Sequence, residues 1–119
     1  MKHHLKTGKK GELLAAKYLE NLGYIILHTN WRFRRFEVDI IAQMGDELVF
    51  AEVKTRNNTS RGMPYESVDD RKRELLLQAA EAFLEENQLE LEVRFDIVSV
   101  LLQNNNYQIE HIPSAFSGF

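Results

Sequence analysis

The chain has 119 residues, 44% hydrophobic and 28% charged, with a net charge of −3. That is ordinary for a globular protein and enough for one domain around one modest core, so residues 1–119 are expected to form a single domain. There is no cysteine, which excludes disulfides and thiolate metal sites. No apolar run reaches the ~20 residues needed to span a membrane. The start, Met1 to Lys6, lacks the apolar centre of a signal peptide, so the expected location is the cytoplasm.

Charge is unevenly spread. Residues 1–61 hold 11 Lys/Arg against 7 Asp/Glu, whereas residues 62–119 hold 4 against 11. Net acidity argues mildly against a strong nucleic-acid binder, yet the first half of the chain could still attract a phosphate backbone.

Residues 1–7 read as a flexible polar start. Gly8 to Leu22 reads as a helix, because Leu14, Ala15, Tyr18, Leu19 and Leu22 share one face and Gly23 supplies the stop. Glu12 is expected in its first turn, where an acid suits the helix dipole. Tyr24 to Arg32 reads as the first strand. From Asn30 to Phe36, Arg32, Arg34 and Arg35 alternate with Trp31, Phe33 and Phe36. Such a segment can hold phosphates with arginine and stack bases on rings. Trp31 and Phe33 are expected in the core, and Arg34 and Arg35 are candidates for substrate contact.

Phe36 to Arg56 reads as two apolar strands joined at Gly45-Asp46, a two-residue hairpin signal. With that loop, Met44 pairs with Glu47, Asp39 falls across from Glu52, and Glu37 across from Lys54. A four-residue loop, Met44 to Glu47, keeps the same register. Directly opposed side chains lie about 4.5–5.5 Å apart at Cβ, where like charges are destabilising. Two facing carboxylates in an apolar sheet need a proton or a cation between them, and carboxylate oxygens suit Mg²⁺. Lys54, two residues beyond Glu52, is expected on the same face. Val38, Ile40, Val49, Ala51 and Val53 are expected on the opposite one.

Asn57 to Pro64 reads as a polar loop, with Arg56 at its start and Arg61 within it. Loops of this kind carry binding residues, and a plain connector is the equal alternative. A long helix follows, capped at Ser67 or Asp69 and running to Asn87, with Leu75, Leu76, Ala79, Ala80, Phe83 and Leu84 as its buried stripe. Its early basic run, Arg71 to Arg73, has surface partners available in Asp69, Asp70 and Glu74. Val93 to Leu102 reads as a strand inside the sheet. Its polar exception, Asp96, is expected to be a structural acid paired with Arg94 or Arg56. Tyr107 to Ile112 reads as a last strand ended by Pro113, with Ala115 and Phe116 packing back on the body. The order of elements fits an α/β fold, a mixed sheet flanked by helices. The histidines give no zinc spacing, and His28 and His111 read as isolated.

Asp39, with Glu52-Val53-Lys54 about a dozen residues later on the neighbouring strand, resembles the metal site of restriction-endonuclease-like nucleases. Gly8-x-x-Gly-Glu12, Ala16-x-x-Tyr-Leu19, Gly23-Tyr24, Asn30-x-Arg32, Glu37-x-Asp-x-Ile41, Phe50-x-Glu-Val-Lys-x-Arg56, Arg94-Phe-Asp96 and Glu110-His111 follow in order. Together they resemble the YraN-like family of small bacterial proteins, itself similar to archaeal Holliday-junction resolvases. The likeness covers most of the chain. Phe36 departs from it, since the family usually has a glycine or small residue before the Glu; that bears on how backbone approaches substrate.

The resemblance implies a restriction-endonuclease-like core with Asp39, Glu52 and Lys54 as catalytic residues. It implies Mg²⁺ or Mn²⁺ held by Asp39 and Glu52, with Glu12 as a third acid and Glu37 supporting. It adds Lys72 to Arg34, Arg35, Arg56 and Arg61 as a contact to nucleic acid, DNA above all, and suggests a homodimer by analogy with resolvases that cut two strands. The expected function is metal-dependent hydrolysis of DNA phosphodiester bonds, branched or repair intermediates included. The alternative is a non-catalytic nucleic-acid-binding or scaffold protein that keeps the nuclease fold.

Overall fold

The structure, a computed structural model, describes residues 7–57 and 69–116. In chain order the elements are α1 (Thr7–Asn21), β1 (Ile25–Phe33), β2 (Phe36–Met44), β3 (Glu47–Asn57), α2 (Asp70–Glu86), β4 (Glu92–Gln103) and β5 (Asn106–Phe116). The strands form one five-stranded sheet in sequence order. Neighbours are antiparallel except β3 and β4, which run parallel. A hairpin cannot join parallel neighbours, so the chain crosses over through α2. The expected mixed sheet flanked by helices is what forms.

Alternation along the strands builds two cores. Leu48 and Phe50 of β3 and Phe95 and Ile97 of β4 meet Leu76, Ala79, Ala80 and Phe83 of α2. Val49, Ala51, Val98 and Val100 meet Ala15 and Leu19 of α1 on the other face. Each fully buried Leu, Ile or Phe contributes about 1.5–3 kcal/mol relative to exposure. A sheet covered on both sides demands apolar residues at consecutive positions, which explains the unbroken centre of β4.

Local chemistry sets the helix ends. Gly23 adopts φ 99° after α1, and the Tyr24 N–H donates to the Leu19 carbonyl at 3.0 Å. Asp69 caps α2 by accepting the Lys72 N–H at 2.9 Å; the other candidate cap, Ser67, lies outside the described residues. Gly11 has a different duty. A Cβ there would fall 1.8 Å from Thr55 Oγ1, so only glycine lets α1 settle on the end of β3.

Some boundaries differ from expectation. α1 begins at Thr7 and has no acid in its first turn, so Glu12 does not sit where the helix dipole would favour it. β1 reaches Phe33, and β5 runs through Pro113 to Phe116. Proline is tolerated there because β5 is an edge strand. Ala115 and Phe116 do pack onto the α2-side core. Asn57 belongs to β3; the rest of the expected loop, with Arg61, lies outside the described residues, as does the polar start before Thr7. No helix among the described residues is long and apolar enough to cross a membrane.

Asp96 is held as a structural acid. It accepts from Arg94 Nε at 2.9 Å, Arg94 Nη2 at 2.8 Å and the Ser114 N–H at 3.1 Å, and pairs with His111 Nε2 at 2.7 Å. Burial pushes its carboxyl up, but the hydrogen bonds from His111, Arg94 and Ser114 outweigh it and hold Asp96 below the usual carboxylate range. Arg94 also reaches Glu47 at 2.9 Å and the Tyr24 hydroxyl. The expected Asp96–Arg94 pair is therefore present. His111 is structural but not isolated: it is the acid's further partner.

Candidate active site

β2 and β3 pair from Met44↔Glu47 to Ile40↔Ala51, around Gly45 at φ 61°. This is the register the Gly45-Asp46 turn predicts. Beyond Ala51 the two strands part. β2 stays with β1 through Trp31↔Val38 and Arg32↔Glu37, while β3 stays with β4 as far as Asn57↔Leu102. Asp39 sits in the fork. Its Oδ2 accepts the Val53 N–H at 2.8 Å, so a side chain satisfies a backbone donor that the strand ladder has released. Asp39 thus follows the last ladder pair instead of forming one with Glu52.

The fork has a local origin in β2 and β1. Val38 packs in the same core as Ile41, while Ile40 and Ala42 belong to the other. In a regular strand residues 38 and 41 would point to opposite faces. β2 therefore turns over around Asp39. β1 bends with it: Asn30, between the pairs Thr29↔Ile40 and Trp31↔Val38, has φ 52°. Val38 is accordingly not on the face opposite the acids, contrary to expectation. Ile40, Val49, Ala51 and Val53 are together there, on the α1 side.

Glu52 is 8% exposed and lies on the α2 side with Leu48 and Phe50. Its carboxylate carries the ammonium of Lys72, from the first turn of α2. Lys54 shares the face by alternation and is half-buried, but the ion pair of Glu52 among the described residues is with Lys72. Residues two apart on a strand are separated by ~6.5 Å, whereas Lys72 descends onto Glu52 from the covering helix. The surface pairing expected for Lys72 is replaced by this contact; Asp69 takes only its backbone N–H.

Glu12 approaches from α1. Its Oε1 accepts from Asn30 Nδ2 at 3.0 Å and lies 3.8 Å from Lys9 Nζ, which also donates to Asn30 Oδ1 at 3.0 Å. Glu37 is not brought in. It faces Arg32 across β1, with Arg32 Nε at 3.9 Å, because β2 has left β3 before Glu37 could come opposite Lys54. Arg34 and Arg35 are exposed in the β1–β2 turn, and Arg56 is half-buried near the end of β3, where it makes contacts within the protein. The Asn30–Glu12 and Lys72–Glu52 contacts were not expected from the sequence. Asparagine's tolerance of positive φ and the Asn30-x-Arg32 motif were the signals for the first.

Burial pushes the Asp39 carboxyl up to about 7, helped next by the charge of Glu52 and less by Glu12; the Val53 N–H and Lys72 pull the other way. Asp39 thus feels an acid from each side of the sheet. Among the described residues no three His, Cys, Asp or Glu side chains converge as a ready-made cage. Mg²⁺ is usually held by one or two carboxylates and keeps waters and substrate phosphates as its other ligands. The Asp39–Glu52 pair fits that habit. Glu12, expected as a third ligand, is engaged with Asn30 and Lys9.

Residues 11–100 match the family model described as uncharacterised protein family UPF0102. A UPF0102 protein of Bacteroides thetaiotaomicron is 47% identical over 116 residues, spanning 98% of this chain and 96% of its own. Another from Flavobacterium psychrophilum is 43% identical over 119 residues, and one from Christiangramia forsetii is 43% identical over 119 residues; both alignments span all of each chain.

Proposed function

The chain belongs to the UPF0102 family, YraN-like as its motifs indicate, and we propose that it is a Mg²⁺- or Mn²⁺-dependent nuclease hydrolysing phosphodiester bonds of DNA. The observation that carries this reading is the fork. Asp39 sits in a gap of the sheet within electrostatic reach of Glu52, and burial with repulsion from Glu52 pushes its carboxyl up to about 7. A structural sheet gains nothing from such a pair. A site that must attract a cation does. The mixed sheet with a helix on each face is compatible with a restriction-endonuclease-like core.

Each side chain has a task in this reading. Asp39 and Glu52 offer oxygens to the cation, and the Val53 carbonyl is a further candidate oxygen. When bound, the cation supplies charge neutralisation at the phosphate and a more acidic water. Lys72 holds the Glu52 carboxylate in place through their ion pair. Lys54, on the same face, is the group for orienting the attacking water or balancing charge on the phosphate. Glu12, steadied by Asn30, adds negative potential from the α1 side.

Incubating the protein with branched, single-stranded and duplex DNA plus Mn²⁺ tests the reading. Cleavage that disappears in Asp39→Asn and in Glu52→Gln supports it. Cleavage unchanged in both refutes the assignment. A second reading, a DNA-binding scaffold without catalysis, is favoured by Lys72 already occupying Glu52. It predicts DNA binding with no cleavage and no Mn²⁺ binding by titration.

A further inference from the structure

The β1–β2 turn and the first turns of α2 enclose a groove of about 500 Å³ lined by Phe33, Arg34, Arg35, Phe36, Arg71 and Leu75. That is within the range of about 300–1,000 Å³ typical of small-ligand sites. Its floor is apolar and aromatic: Phe33 and Phe36 pair across the turn and are half-buried. Its rim is cationic. Arg34, Arg35 and Arg71 are all exposed, and among the described residues none of them is ion-paired with a carboxylate. Arg34, at φ 59°, lays its guanidinium 4.9 Å over the Phe33 ring. On a chain of net charge −3, three such arginines around two rings form a local exception. The acids of the same helix, Asp69, Asp70 and Glu74, do not line the groove.

We propose that this groove holds unpaired nucleotides of the DNA strand beside the point of cleavage. Phosphates attract the three arginines, and the Phe36 ring, with the Arg34 guanidinium that covers Phe33, offers a stacking surface that tolerates any base. In a duplex the base faces are already stacked on one another, so only an unpaired stretch can use such a floor. The groove also adjoins the fork through α2. Arg71 lines the groove, and the next residue, Lys72, sits on Glu52. A strand lying along Arg71 would therefore pass the helix turn that carries Lys72 onto Glu52. The inference rests on the nuclease reading for that direction, while binding itself can be measured without cleavage.

Fluorescence anisotropy of a labelled oligothymidylate in EDTA provides the test, with the same sequence annealed to its complement as the second probe. Arg34→Glu, Arg35→Glu and Arg71→Glu are each expected to weaken single-strand binding about tenfold. Phe36→Leu, which keeps the floor apolar but removes a ring, is expected to weaken single-strand binding and leave duplex binding unchanged. Circular dichroism checks that all four variants are folded. No binding by the unaltered protein, or single-strand affinity indifferent to the three charge reversals, overturns the proposal. So does a duplex that binds as tightly as the single strand and loses the same affinity, since that marks a phosphate site without bases. If Mn²⁺-dependent cleavage is absent while the binding pattern holds, the nuclease reading fails and the groove assignment stands.

Discussion

The Asp39 carboxylate receives the Val53 N–H at 2.8 Å, so an acid bridges two strands whose own ladder has ended. This places a proton-holding group where ionisation is costly. Its folded value of about 7 lies above the ~3.9 of an unfolded aspartate. The folded state therefore binds that proton more tightly. The stabilisation is complete below about pH 4 and is lost as pH rises through 7. In EDTA, thermal unfolding should show a falling Tm from about pH 5 to 8, and Asp39→Asn should flatten that slope. A variant with the slope of the unaltered protein would show that Asp39 is not the group responsible.

Metal binding should be linked to the same proton. A cation held as proposed would displace the proton from Asp39, so binding should release one. Mn²⁺ affinity is expected to rise by up to about tenfold per pH unit below 7 and to level off above it. Isothermal titration calorimetry in buffers of different ionisation enthalpy measures the proton count directly. Zero protons released at pH 6 would contradict the assignment.

Lys72 stabilises Glu52 in the absence of metal. Lys72→Met keeps most of the stem but leaves a buried carboxylate without its ion pair. The expected loss of stability is about 1–3 kcal/mol in EDTA. Saturating Mn²⁺ should recover part of it, because the cation then answers the Glu52 charge. Denaturant unfolding with and without Mn²⁺ reads both effects; an equal loss in the two conditions would separate Lys72 from the proposed metal site.

Two glycines of α1 should behave oppositely. A methyl group at Gly11 would meet Thr55 Oγ1 at 1.8 Å, whereas nothing lies within 4 Å of one at Gly8. Gly11→Ala is expected to cost about 1–3 kcal/mol by forcing α1 off β3. Gly8→Ala should be neutral or stabilising by up to about 1 kcal/mol, through helix propensity. Because Glu12 follows Gly11, Gly11→Ala should also weaken the Glu12–Asn30 contact, visible as a shift of the Asn30 side-chain amide resonances. Unchanged stability in Gly11→Ala would mean that α1 does not pack closely there.

Much of this arrangement was legible from neighbours in sequence. Gly45-Asp46 dictates its own turn, and a turn dictates the register of the strands it joins, hence Ile40↔Ala51. The helical stripe ending in Phe83 and the cap at Asp69 are equally local. Glu52 and Lys54 share a face because a strand repeats every two residues. The buried Asp96–Arg94 pair is likewise two residues apart on one strand, and Arg94 was one of the two expected partners; His111 and the Ser114 N–H were not expected.

Alternation failed where a strand stopped being regular. Asn30 at φ 52° and the reversal of β2 around Asp39 depend on β2 choosing β1 over β3, a competition between distant partners that no short window contains. That choice sends Glu37 out to Arg32 and puts Asp39 against Val53. The ammonium that meets Glu52 was decided the same way, by the packing of α2 across β3, which carries Lys72 down from a position 20 residues along the chain. Residue identities and local periodicity thus determined which acids the hairpin would bring together. Only the packing of the whole sheet against its helices decided how the strands part around them and which charges answer them, because those energies come from contacts between segments far apart in sequence.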